Sequence, residues 1–200
     1  MEHTVNQITL RGELRQWPEF SHENHGKRFY RFTLDVSRLS GTVDSLPVVA
    51  EEAVLNAVDL SAGPTLTVEG QIRSHNCRTG GGRRLLIFVF AGRITAGDGE
   101  PLNECCLEGA ICKEPVYRRT PLGREICDIM LAVPRAFRRA DYLPCILWGR
   151  TAQTLAQCHT GDGIRITGRL QSRAYTKITE SGPEERTAYE ISGLNAEIVS

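Results

Sequence analysis

A shift of 97 residues lays the second half of this chain on the first. Asn6 falls on Asn103, Leu10 on Leu107, Gly12 on Gly109 and Pro18 on Pro115. Phe20 then falls on Tyr117, Gly26 on Gly123, Leu34 on Leu131, Val36 on Val133 and Arg38 on Arg135. Asp44, Leu46 and Pro47 meet Asp141, Leu143 and Pro144. One more residue of shift puts Gly70 on Gly168 and Ser74 on Ser172. A single register held over some forty positions is not coincidence, and it restricts the chain to two similar domains in tandem. The turn-rich stretch "TAGDGEPLN", residues 95–103, reads as the junction. The expected domains are 1–97 and 101–200.

Each half reads in the same order. An apolar strand (5–16; 103–113) leads into a loop ending in glycine, then an alternating strand (28–37; 125–133). A third strand (44–50; 141–148) precedes a short helix, "EEAVLNAV" or "TAQTLAQC". Two long strands close the unit (65–76 and 84–94; 163–177 and 186–199). Five strands with one helix between the third and fourth is the order of an OB-fold barrel. The expected fold class is all-β with one short helix per domain: two tandem five-stranded OB-fold barrels. Such barrels bind oligonucleotides or oligosaccharides, and the fold alone does not choose between them.

Composition narrows the choice only through its details. Basic and acidic residues number 24 each, so net charge recommends no acidic partner. Lys27, Lys113 and Lys177 are the only lysines, which makes 21 of the 24 basic residues arginine. A planar guanidinium both pairs with phosphate and stacks on flat rings. The seven cysteines form no CxxC pair, and Cys105, Cys106, Cys112, Cys127 and Cys145 lie in strand-like apolar runs. They read as buried, reduced thiols, with no disulfide framework and no zinc site. No stretch approaches the roughly 20 apolar residues of a membrane span. "MEHTVNQITLRG" lacks a signal-peptide block, so a cytoplasmic location is expected.

The stretch "GDGIRITGRLQSRAYTKI", 161–178, separates into two surfaces when alternate positions are taken. Ile164, Ile166, Gly168 and Leu170 face one way. Arg165, Thr167, Arg169, Gln171, Arg173, Tyr175 and Lys177 face the other. A basic row ending near an aromatic suits a nucleic acid, whereas a plain solvated face would need neither. Tyr142, Pro144, Ile146 and Trp148 likewise share one parity of their strand.

"PVYRRTPLGREICDIMLAV", "RADYLPCILWGRTAQTLA", "GDGIRITGRLQSRAYTK" and "RTAYEIS", in this order across 103–199, closely resemble bacterial single-stranded DNA-binding proteins. The first half carries the resemblance weakly, through the repeat. The resemblance implies base stacking by Phe137, Tyr142, Trp148 and Tyr175. It implies phosphate contacts by Arg118, Arg119, Arg124, Arg165, Arg169, Arg173 and Lys177. Stacking tolerates any sequence because every base has a π-face. It further implies a homodimer presenting four barrels, no metal or cofactor, and a role in replication, recombination or repair. Family members typically end in a flexible linker and an acidic tail that recruits partners. Here "NAEIVS" closes the last strand, so recruitment by that route is not expected.

The first half departs from this pattern. Its register places Ser45 at Tyr142, Glu51 at Trp148, Ser40 at Phe137 and "SHNC" at the region of Tyr175. The expected division of labour has the second domain binding DNA and the first supporting assembly. Arg73, Arg78, Arg83 and Arg84 lie around the "RTGGGRR" hairpin, which reads as ordinary hairpin chemistry and not as a P-loop, since GK[ST] does not follow.

No enzyme is expected. The histidines are scattered and show no HExxH; "HENH" at 22–25 reads as a loop with no third metal ligand. No GxSxG marks a nucleophile, and the pairs Glu51/Glu52 and Glu184/Glu185 look like a helix start and a hairpin tip. The alternative function is a protein-interaction module, an OB pair acting as a primosome-type assembly factor with incidental nucleic-acid binding. RNA binding is a third reading that residue type does not separate from DNA binding.

Overall fold

The computed structural model describes residues 5–79, 82–179 and 182–199, without the side chains of residues 62, 78, 79, 82 and 83. The tip of the "RTGGGRR" hairpin, the side chains of Arg78 and Arg83, and His3 therefore lie outside the described residues.

The first half comprises β1 (Asn6–Asn24), β2 (Lys27–Ser37), β3 (Val43–Glu51), α1 (Glu52–Asn56), β4 (Thr65–Thr79) and β5 (Gly82–Ala96). The second comprises β6 (Leu102–Ile111), β7 (Val116–Arg119), β8 (Glu125–Arg135), β9 (Arg139–Trp148), α2 (Gly149–Leu155), β10 (Gly163–Thr179) and β11 (Gly182–Val199). The strand order is β2-β3-β5-β4-β1-β6-β10-β11-β9-β8-β7, with further pairings β2–β1 and β6–β8. Those two pairings close the ladder on itself twice, which gives the expected all-β OB-fold order in each half.

Period-two alternation builds the cores. Leu10, Leu34 and Leu46 and their repeat mates Leu107, Leu131 and Leu143 are all fully buried. Burying a side chain of this size stabilises by about 1.5–3 kcal/mol. A buried amide recurs as well. Asn6 donates to the Ile72 carbonyl (2.9 Å) and accepts from its N–H (2.8 Å). Asn103 does the same with Leu170, at 2.7 and 3.0 Å. Closure needs glycine in both barrels: a Cβ on Gly12 would collide with the Asp35 carbonyl oxygen, and one on Gly109 with that of Ala132.

The two barrels share one antiparallel seam, in which Asn6 faces Leu107, Ile8 faces Cys105 and Leu10 faces Asn103. Ile8 and Cys105 are themselves repeat mates. The seam is thus symmetric, and the chain packs as a pseudo-twofold pair.

The expected loop after the first strand is corrected in the first half. β1 runs on to Asn24 and pairs with β2 as far as Asn24–Lys27, leaving only His25 and Gly26 (φ 50° and 73°) as the turn. Positive φ at both central residues matches the twist of a tight hairpin. "HENH" is accordingly strand end and turn, and the His22 ring stacks on Phe29 with centroids 4.9 Å apart. Pro18, which cannot donate to the ladder, sits at a register shift between Gln16 and Glu19. In the second half the chain leaves the ladder at Cys112–Pro115 and resumes as β7.

Beyond the barrels, β4 pairs only with β5 after Gly70, and β10 only with β11 after Gly168. Two two-stranded ribbons result, one from each half.

Candidate nucleic-acid interface

Alternation along β9 buries Leu143, Cys145 and Leu147 and puts Tyr142, Pro144, Ile146 and Trp148 on the other face, where Tyr142 and Trp148 are exposed, Pro144 is half-buried and Ile146 is buried. The neighbouring strand β8 adds Asp128, Met130 and Ala132 to the same face through the pairs Asp128–Ile146, Met130–Pro144 and Ala132–Tyr142. On the other side β11 runs parallel to β9, with Ser192 beside Ile146. A shallow groove follows this face, lined by Lys113, Val116, Asp128, Met130, Pro144, Ile146 and Glu190.

The aromatic side chains sit at its two ends. Trp148 is 37% exposed, and its indole N–H donates to Ser192 Oγ at 3.3 Å, which fixes the ring against the sheet. Tyr142 lies six residues away along the strand, about 20 Å at strand rise, and is 42% exposed. Tyr175, 38% exposed, pairs with Arg186 on the second ribbon. The parallel β9–β11 register brings that pair to the Tyr142 end of the groove. Phe137 projects from the turn between β8 and β9, 94% exposed, with φ 61° and ψ 36°. The turn is followed by Arg138 and Arg139.

Carboxylates already hold several of the expected phosphate contacts. Arg118 Nε donates to Asp128 at 2.7 Å, and Arg119 to Glu125 at 3.0 Å. Both guanidinium pKa values are raised: Arg118 first by its bond to Asp128, Arg119 first by its bond to Tyr117. Arg173 lies 3.5 Å from Glu190 and 5.9 Å from the centre of the Tyr175 ring. Arg124 stands in the exposed turn before β8, its N–H bound to Thr120 Oγ1. Lys177 is exposed on the ribbon opposite Glu184.

Arg165 and Arg169 stand apart from the aromatic face. β10 is separated from β9 by β11 and from β8 by β6. Arg165 there pairs with Glu108 at 2.8 Å. The expected inward set of this strand, Ile164, Ile166, Gly168 and Leu170, is buried throughout.

In the first barrel the positions equivalent to the aromatics carry polar pairs. Ser45 donates to Asp35 (2.6 Å) and accepts from Arg15 (2.8 Å), while Glu51 binds Lys27 at 2.9 Å. The barrel has instead an aromatic cluster that sequence reading missed. Trp17 is 62% exposed, the Phe20 ring meets Tyr30 edge-on at 6.0 Å, and Arg28 lies over both at 5.3 and 5.6 Å. The signal was present, since Phe20 and Tyr30 are cross-strand partners once β1 is extended past Pro18.

A pair of small closed barrels with half-exposed rings and guanidinium groups on an open face is the build of an oligomer-binding module. A model described as the single-strand binding protein family matches residues 102–199. The single-stranded DNA-binding protein B of Bacillus subtilis is 36% identical over 80 residues, which cover 36% of this chain and 71% of that protein. The single-stranded DNA-binding protein 1 of Lactococcus lactis is 36% identical over 81 residues, 37% of this chain and 54% of that one. The chain belongs to the single-strand binding protein family. The wild-type single-stranded DNA-binding protein of Thermus aquaticus shares the fold across both halves. Its structure aligns with a TM-score of 0.79 at 21% identity, over 98% of this chain and 94% of that one.

Proposed function

We propose that this chain binds single-stranded DNA with little sequence preference and without enzymatic activity, metal or cofactor. The observation that carries the reading is the exposed pair Tyr142 and Trp148 on one face of β9, bordered by Arg118 and Arg173. Rings at both ends of an open groove can each stack a base of one bound strand, each contributing about 1–3 kcal/mol. The names of its relatives support the same ligand.

In this reading domain 101–200 carries the main binding face, with Phe137, Tyr142, Trp148 and Tyr175 as stackers. Arg118, Arg119, Arg124, Arg165, Arg169, Arg173 and Lys177 supply the field for the phosphates. Domain 1–97 supports assembly, and a homodimer brings four barrels together. The setting is DNA replication, recombination or repair in the cytoplasm at the nucleoid.

The test is anisotropy of a labelled oligo-thymidine against duplex and oligo-uridine competitors. Single-stranded DNA should compete best. Alanine at Trp148 and Tyr175 should weaken binding steeply; unchanged binding would favour an assembly module with incidental affinity. Light scattering showing a monomer at working concentration would overturn the dimer.

A further inference from the structure

The binding face of the second barrel has an open edge, and the first barrel fills it. β9 pairs with β8 along its whole length but with β11 only at Cys145–Leu147. The edge before Cys145 is left without a strand partner on that side. There the Tyr142 N–H donates to Ser74 Oγ, on the first barrel's ribbon, at 2.7 Å. The Ser74 N–H in turn donates to Asp141 Oδ1 at 2.7 Å, and Arg73 reaches Asp141 Oδ2 at 3.1 Å. Three bonds therefore seat this ribbon beside the ring of Tyr142.

Directly opposed residues of an antiparallel pair share a face. His75 opposes Leu86 and Cys77 opposes Arg84, so these four side chains form one face of the ribbon just past its anchor. His75, Arg84 and Leu86 are exposed. Arg84 also approaches the second ribbon. The Glu184 carboxyl lies below its usual range, first through its bond from Arg186 and further through the fields of Lys177 and Arg84. Among the described residues Arg84 makes no ion pair, unlike Arg73, Arg118 and Arg173, which are held by carboxylates.

We propose that the first barrel's ribbon is the far wall of the second barrel's binding face, and that Arg84 contacts the sugar-phosphate backbone of a strand stacked on Tyr142 and Tyr175. The inference rests on the single-strand reading above and names a contact outside the family-like half. It changes the role of the first barrel. That barrel carries Ser45 and Glu51 at the positions of Tyr142 and Trp148, yet its ribbon completes a composite site across the domain seam. The mirror arrangement is a poorer site, because the second ribbon is anchored beside Ser45, where no ring stands.

The experiment is a salt titration of oligo-thymidine binding by the full chain, comparing wild type with Arg84→Ala, Trp148→Ala and Arg93→Ala. Arg93 is a control of equal charge, since it is exposed on the first barrel and paired with Glu69. Arg84→Ala should bind about three- to tenfold more weakly and flatten the salt slope by about 0.7, the share of one phosphate on a single strand. Arg93→Ala should change neither. If Arg84→Ala keeps wild-type affinity and slope while Trp148→Ala loses binding, the composite site is wrong and the single-strand reading stands. If wild type itself fails to bind at low salt, the reading falls and the proposal with it.

Discussion

Asp44 Oδ1 accepts the backbone N–H of Ser172 at 2.7 Å, joining the first barrel to the ribbon of the second. Its repeat mate Asp141 accepts the N–H of Ser74, also at 2.7 Å, in the opposite direction. Both carboxylates are fully buried, and each is paired with arginine of its own half, Arg38 and Arg135. Each barrel thus grips the other's ribbon through the same residue of the repeat.

Removing one grip should cost much of the stability. Asp44→Ala leaves the Ser172 N–H without its acceptor and Arg38 with only its 3.2 Å bond to the Ser172 carbonyl. The expected loss is about 3 kcal/mol, the low end for a broken buried ion pair, because Arg38 keeps partial access to water. Urea unfolding of the variant measures it, and a loss below half that size would mean the seam alone orients the barrels.

Acid should loosen the same contact. Burial pushes the Asp44 carboxyl up, but hydrogen bonds from Arg38 and Ser172 outweigh it and hold it below its ordinary value. A folded value below the unfolded one gives stability that is complete above the unfolded pKa of about 3.9 and drains as pH falls through the folded value. Hydrogen exchange at the Ser172 amide should therefore stay slow at pH 6 and lose protection below about pH 4. A protection factor independent of pH would contradict this.

The buried thiols should resist modification. Burial pushes Cys105 up to about 12 and Cys127 up to about 11, and raises Cys145 well above the ordinary thiol. Only the thiolate attacks, so at pH 8 these three should label no faster than the protein unfolds. Mass spectrometry after timed alkylation reads the outcome. Rapid labelling of Cys145 in the native protein would place it outside the core.

Phe137 should trade stability for binding. Its left-handed backbone costs about 1–2 kcal/mol for a residue with a Cβ, and its ring packs against little. Phe137→Gly removes that strain against a glycine entropy cost of roughly 0.5–1 kcal/mol, so the variant should be slightly more stable. It should also bind single-stranded DNA about fivefold or more weakly, from loss of one stacking ring. Thermal unfolding and anisotropy on one preparation give both numbers. A less stable variant would mean that the ring packs in the fold.

The repeat was legible because it falls on positions where geometry leaves little choice. Gly12 and Gly109 sit where a Cβ would strike the facing strand, and Asn6 and Asn103 satisfy a buried peptide group. The outward parity of Tyr142 and Trp148 was legible for the same reason, since alternation on a strand is rigid. The reach of β1 was not, because "QWPEFSHEN" looks like a loop until its bulges pair it with β2. Nor was the exchange of ribbons, since Asp44 and Ser172 lie 128 residues apart and each reads alone as an ordinary polar residue.

The most direct test uses the emission of Trp148 itself. The chain has two tryptophans, so Trp17→Phe leaves Trp148 as the sole reporter. Titration with a long oligo-thymidine at several salt concentrations should quench it saturably. Binding should weaken with salt at about −0.7 per phosphate neutralised, and duplex DNA should quench little. Unchanged emission at low salt, or equal quenching by duplex, would contradict a base-stacking face on the second barrel.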